Sequence, residues 1–185
     1  MAVEGKTMNS ALLELYRHKT WATVRLIEFC QGLTGDHLDA TIPGTYGTIR
    51  DTLRHLVDAE EGYLSIVTRR PFRTKEASAA FTRPDQTPDG PIPLEELAAR
   101  IQRMGPQWET LAQDPDLPVR EVTTTDGWRL RAGVPMAQAI HHADVHRAHV
   151  LSILGARGLE VPELDVWEYD WSAATWQELP GTSGD

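Results

Sequence analysis

Apolar residues recur at helical spacing in four stretches of about twenty residues each, and this periodicity constrains the fold more than any other feature of the chain. The first stretch runs from about Asn9 to Leu33, with Leu12, Leu13, Tyr16, Thr20, Val24, Ile27 and Cys30 in register. The tract Thr34-Gly35-Asp36 interrupts it. After a loop with Pro43, Gly44 and Gly47, a second helix starts near Thr48 and ends before Pro71; Ile49, Leu53, Leu56, Tyr63, Leu64 and Val67 form its stripe. Residues 71–93 hold Pro71, Pro84, Pro88, Pro91 and Pro93 and read as a long irregular crossover. A third helix opens at Pro93, with Glu95 and Glu96 complementing its dipole, and reaches about Gln113. The period then changes: Arg120 to Arg131 alternates around Asp126-Gly127, a hairpin signal. The fourth helix runs from about Val134 to Leu154 and ends at Gly155. The fold class that follows is all-α, a four-helix bundle with a long crossover and a small β-hairpin before the last bundle helix.

Composition narrows the function. At 185 residues, 41% hydrophobic and 24% charged, the chain can build one core, and a single domain over 1–185 is the simplest reading. No run of about 18 apolar residues is present, so nothing reads as a membrane span. The start, MAVEGKTMNS, shows no secretory signal, and one cysteine (Cys30) suits a reducing compartment; a cytoplasmic location is expected. The net charge is −9, but residues 160–185 carry seven acidic and no basic residues, leaving −2 for the rest. This acidic balance argues against nucleic acid as a partner. The acidic C-terminal segment also holds Trp167, Trp171 and Trp176, and aromatics that dense predict that part of it docks on the body.

The chemistry concentrates in histidines. Four of the seven lie in nine residues, His141-His142-Ala143-Asp144-Val145-His146-Arg147-Ala148-His149. His142 and His146 are i, i+4 on a helix, so both imidazoles leave one face a turn apart and can reach one ion at ~2.0–2.1 Å. His149 falls on the same face, whereas His141 points about 100° from His142. Surface or core histidines are the bland alternative. The apolar character of helix four argues for burial instead, and buried imidazoles need partners for their lone pairs. A third ligand should come from another helix. His55, on the shoulder of the second stripe between Asp51 and Ala59, is the best candidate; His18 and His37 compete, His37 reading as surface and His18 as a solvated neighbour of Arg17 and Lys19.

Thr48-Ile49-Arg50-Asp51-Thr52-Leu53-Arg54-His55-Leu56-Val57-Asp58-Ala59-Glu60 resembles the second-helix motif of the DinB family (DinB/YfiT-like metalloenzymes), and His142-Ala143-Asp144-Val145-His146-Arg147 resembles its H-x3-H-R motif. Pro43 to Gly47, the Asp126-Gly127 hairpin and Leu164 to Trp167 fit the same pattern, over roughly residues 10–170. The resemblance implies an up-down-down-up four-helix bundle and a three-histidine metal site formed by His55, His142 and His146. It departs at His149, where Gln often stands; a fourth ligand, an acid/base group near the site and a plain substitute all remain open. It also implies, at family level only, a homodimer.

Three neutral imidazoles with an open position are the arrangement of catalytic metal sites, and nitrogen ligands suit a divalent transition metal, with Zn or Ni first and Cu or Fe behind. The open position would take water or a thiolate and lower its pKa. Some relatives are thiol-dependent transferases or isomerases using low-molecular-weight thiols, which implies a metal-dependent enzyme, a thiol S-transferase or a hydrolase, acting on a small-molecule electrophile. The competing class is a non-catalytic metal-binding stress-response bundle. Asp51 and Asp58 either orient His55 or belong to a solvated charged face. Arg147 reads as an ion-pair residue ahead of a site for a substrate carboxylate. Cys30, Trp21 and Trp108 read as core.

Overall fold

A computed structural model describes residues 10–70, 92–124 and 127–173 of the chain. Helix α1 (Ser10–Gln31) buries Leu13, Tyr16, Leu26, Ile27 and Cys30 along one face, which also carries Lys19 and Thr23, while His18 is buried on another side. A short helical turn, α2 (Gly35–Leu38), follows Thr34 and delivers Leu38 and Ala40 to the core. Helix α3 (Ile49–Thr68) starts where the sequence places it. The Thr48 hydroxyl accepts from the Asp51 N–H at 3.1 Å and donates to the Asp51 carboxylate at 2.7 Å, a reciprocal cap three residues long. Its apolar face is Ile49, Leu53, Leu56, Val57, Leu64 and Val67, and it stops at Arg69, which is left-handed at φ 56°.

The Pro-rich crossover expected over 71–93 lies outside the described residues except at its end. There Pro93 caps helix α4 (Leu94–Ala112), with Glu95 and Glu96 in the first turn. Pro106 stands inside α4 on its exposed side, directly after Gly105, which faces α1. A short 3₁₀ turn (Leu117–Val119) leads into β1 (Glu121–Thr123), which pairs antiparallel with β2 (Arg129–Arg131) in the register Glu121↔Arg131, Val122↔Leu130, Thr123↔Arg129. Alternation buries Val122 and leaves its neighbours in solvent. Asp126 of the expected turn lies outside the described residues; Gly127 takes φ +91°, the left-handed conformation that such turns demand of glycine.

Helix α5 (Gly133–Ala156) runs one residue past Gly155, where the sequence placed its end. The reason is Gly158: at φ +71° it lets its N–H bond the Gly155 carbonyl while Leu159 N–H bonds the Leu154 carbonyl. That pair of bonds is a Schellman cap, so the terminating glycine is three residues later than the one read from the sequence. Helix α6 (Val166–Ser172), capped by the Asp165 carboxylate on the Glu168 N–H, packs against α1. Docking of the C-terminal segment runs through Leu164, whose carbonyl meets His18 Nε2 at 2.7 Å, and through Tyr169, which packs on Trp21 and His18. Trp167 and Trp171 are 71% and 68% exposed, and Trp176 lies outside the described residues.

The protein is thus mostly helical with one two-stranded hairpin. Helix α1 packs on α4 and α5, and α3 packs on α5 and α4. Tyr16 and Trp108 stack at 5.0 Å and 12° at the centre of the α1–α4 contact, with Tyr16 OH donating to the Met136 carbonyl of α5. Among the described residues no helix is long and apolar enough to cross a membrane.

Candidate metal centre

The α3–α5 contact brings His55, His142 and His146 together. One ring nitrogen from each lies within 4.8 Å of the others. His55 Nε2 and His142 Nε2 are 3.1 Å apart, and the three ring centroids are separated by 4.9, 4.8 and 4.2 Å. Two nitrogens on one tetrahedral ion at ~2.0–2.1 Å sit roughly 3.3 Å from each other. The 3.1 Å pair therefore already has the spacing that a shared ion imposes. His146 is buried, His55 and His142 are half-buried, and His146 Nδ1 is buried without a hydrogen-bond partner among the described residues. Three imidazole nitrogens within 4.8 Å of one another, one pair already at the spacing of shared ligands, make a donor set suited to a transition metal. The residues fit the group.

Electrostatics favours the ligating form. Burial pushes all three imidazoles below the usual histidine range. His142 falls to about 4, with His55 and His141 adding to the effect, and His146 to about 3, with His142, His55 and His149 adding. His55 is lowered by burial too, while the Asp58 carboxylate pulls it back up. At neutral pH all three keep their lone pairs free of protons, as ligation requires.

Two tyrosines flank the trio. Tyr46 lies flat on His55 at 4.0 Å and 11° and presents an edge to His146 at 5.2 Å and 89°. Tyr63 sets its ring at 78° to His142 at 5.6 Å. Asp58 is buried and held by Arg100 at 2.6 Å and Arg54 at 3.4 Å, and Arg100 also bonds Glu61. Asp58 thus belongs to a buried charge network beside His55 and not to a solvated face. Asp51 is committed to the α3 cap. His149 stacks edge-on against His146 at 5.3 Å but stands outside the converging trio, and its Nδ1 is buried without a partner among the described residues.

The other candidates fall elsewhere. His18 is buried against Leu164 and Tyr169 and not solvated, because α6 covers it. His37 is half-buried in α2. Arg147 is an ion-pair residue: it is buried, pairs with Asp144, and bonds Thr23 Oγ1 at 2.9 Å and the Lys19 carbonyl at 3.3 Å. Cys30 is a core thiol that burial pushes up to about 12. Two features escaped the sequence reading. Tyr46 sits in a loop, where periodicity says nothing. The fully buried Lys19–Glu60 ion pair had a signal, since each residue occupies the apolar stripe of its helix.

A helical protein with a small hairpin and three histidines converging from two of its helices is the class of DinB-like proteins. The chain belongs to the DinB family, whose sequence model matches residues 8–179. Its fold is similar to the crystal structure of a DinB-like protein from Bacillus cereus ATCC 10987, with a TM-score of 0.60 at 16% identity, covering 85% of this chain and 97% of that one. No curated protein matches the sequence.

Proposed function

We propose that the protein is a metal-dependent enzyme in which His55, His142 and His146 hold a divalent transition metal, zinc or nickel first, and a low-molecular-weight thiol is transferred to a small electrophile. A hydrolase using water in the same position is the close variant. The observation that carries this reading is the convergence of three neutral ring nitrogens within 4.8 Å. When bound, the ion supplies a Lewis acid with a free position, able to lower the pKa of water or a thiol toward neutrality. The chain's own residues do the rest. Burial keeps the imidazoles unprotonated. Asp58, clamped by Arg100 and Arg54, places a fixed negative charge beside His55. Tyr46 and Tyr63 wall the histidines with apolar surface.

The remainder of the reading is an up-down-down-up four-helix bundle forming a single domain over 1–185, with its acidic segment at 160–185, acting in the cytoplasm as a homodimer. Neither nucleic acid nor membrane is a partner in it. One observation favours keeping a second reading, a non-catalytic metal-binding stress-response bundle. The trio spans the α3–α5 contact, so an ion there would fasten the two helices without any turnover.

Metal analysis of tag-free protein, followed by thiol consumption with a generic electrophile, tests both. One equivalent of metal with turnover supports the enzyme. Metal without turnover across thiols and electrophiles supports the binder. No metal, with His55→Ala leaving stability unchanged, removes both.

A further inference from the structure

We propose that Tyr46 is the cover of the histidine centre, a positioning residue whose ring must leave His55 and His146 before an exogenous ligand reaches them. The proposal rests on the metal reading for what the ligand meets, but its geometry stands without it. The ring touches two of the three imidazoles, flat on His55 at 4.0 Å and edge-on to His146 at 5.2 Å. The ring is 39% exposed, whereas His146, which it meets edge-on, is 7% exposed.

Its backbone belongs to no helix or strand. The loop is pinned at its ends by Ile49 N–H on the Ala40 carbonyl and by the Thr48 cap. Within it, Thr45 bonds the carbonyl of Ile42, and Gly44 at φ +90° turns the chain. Among the described residues the Tyr46 hydroxyl makes no hydrogen bond, and its ring packs on His55 and His146. Tyr63 does not duplicate it, because it meets His142 from α3 itself. A side chain that packs on two rings, from a loop with anchored ends, can swing away without melting a helix.

The test has two arms, with wild type, Tyr46→Phe and Tyr46→Ala. In the metal-free protein, carbethoxylation of His55 by diethyl pyrocarbonate is followed by mass spectrometry. Tyr46→Ala should speed it about tenfold, the scale expected when aromatic contacts to two imidazoles are given up, while Tyr46→Phe stays near wild type. Buried His18 serves as the reference for global loosening. If its rate climbs with that of His55, Tyr46→Leu replaces the alanine variant. In the cobalt(II)-loaded protein, azide is titrated by visible absorption; Tyr46→Ala should bind it about tenfold more tightly and Tyr46→Phe as wild type does. Equal His55 rates in wild type and a folded Tyr46→Ala or Tyr46→Leu variant overturn the proposal, as does equal azide affinity in wild type and Tyr46→Ala. If wild type takes up no cobalt, the metal reading falls and the carbethoxylation arm alone decides on Tyr46.

Discussion

His55 Nε2 on α3 and His142 Nε2 on α5 stand 3.1 Å from each other, and His146 one turn on completes a trio within 4.8 Å. Without an ion, one imidazole donates to the other and His146 Nδ1 has no partner among the described residues. With an ion, all three lone pairs are used. Replacing any of the three by alanine should therefore weaken zinc binding by more than the ~10–100-fold typical of a change behind the ligands. His149→Ala should change it less than about tenfold, since His149 lies outside the trio. Competition with a chromophoric chelator measures both. A loss at His149 as large as at His146 would make His149 a ligand.

Acid should loosen the metal-free protein in a defined window. The folded state holds His142 at about 4 and His146 at about 3, and His55 below its ordinary value. The unfolded chain takes up these protons near pH ~6.5, so below that value it binds more protons than the folded one. Stability is therefore full above pH ~6.5 and falls as pH drops toward the folded values. Urea midpoints between pH 5 and 8 should show the decline, and His146→Asn should flatten it by about one proton's worth of slope. A profile unchanged by that substitution would place the titration elsewhere.

The legible parts of the molecule were those governed by local rules. The start of α3 near Thr48 and the helix lengths follow from apolar spacing, which depends on residues within a turn or two of each other. The pairing of His142 with His146 is likewise local. His55 needed the resemblance to a family, since helical spacing allowed it to meet α5 without requiring it. The end of α5 was misread because two glycines compete there, and only the left-handed φ of Gly158 decides between them. The density of aromatics is enough to expect the acidic segment to dock, but composition cannot say which side of α6 faces α1; Tyr169 and Leu164 make contacts there.

The Lys19–Glu60 ion pair joins α1 to α3 inside the core, with both side chains essentially inaccessible. Burial pulls the Lys19 ammonium below its usual range, and Glu60 opposes that pull. Glu60 Oε2 has no hydrogen-bond partner among the described residues, so the pair is incompletely satisfied. Lys19→Met should cost about 3–5 kcal/mol by leaving a carboxylate buried without its cation. The low end is expected, because the Arg147 guanidinium also interacts electrostatically with Glu60. The double variant Lys19→Met/Glu60→Leu should recover most of the loss, since no charge is stranded. Urea unfolding of the three proteins measures it, and a double variant no better than the single would assign the cost to packing instead.

At Gly105, α4 packs closely against Thr20 of α1. A Cβ added there would lie 2.8 Å from Thr20 Cγ2 and 3.2 Å from its hydroxyl. Thr20 cannot turn aside cheaply, because a β-branched side chain in a helix has few χ1 choices. In an exposed helix interior, glycine to alanine would gain roughly 1 kcal/mol from helix propensity. Here overpacking, at about 1–3 kcal/mol, outweighs that gain. Gly105→Ala should therefore destabilise, moving the thermal midpoint down. Adding Thr20→Ala removes the clashing methyl and hydroxyl, so the double variant should unfold at or above the wild-type midpoint. The Thr20 hydroxyl has no partner among the described residues, so its deletion breaks no hydrogen bond there. Calorimetry on the single and double variants decides it: a Gly105→Ala protein as stable as wild type would mean that the α1–α4 crossing has room to open.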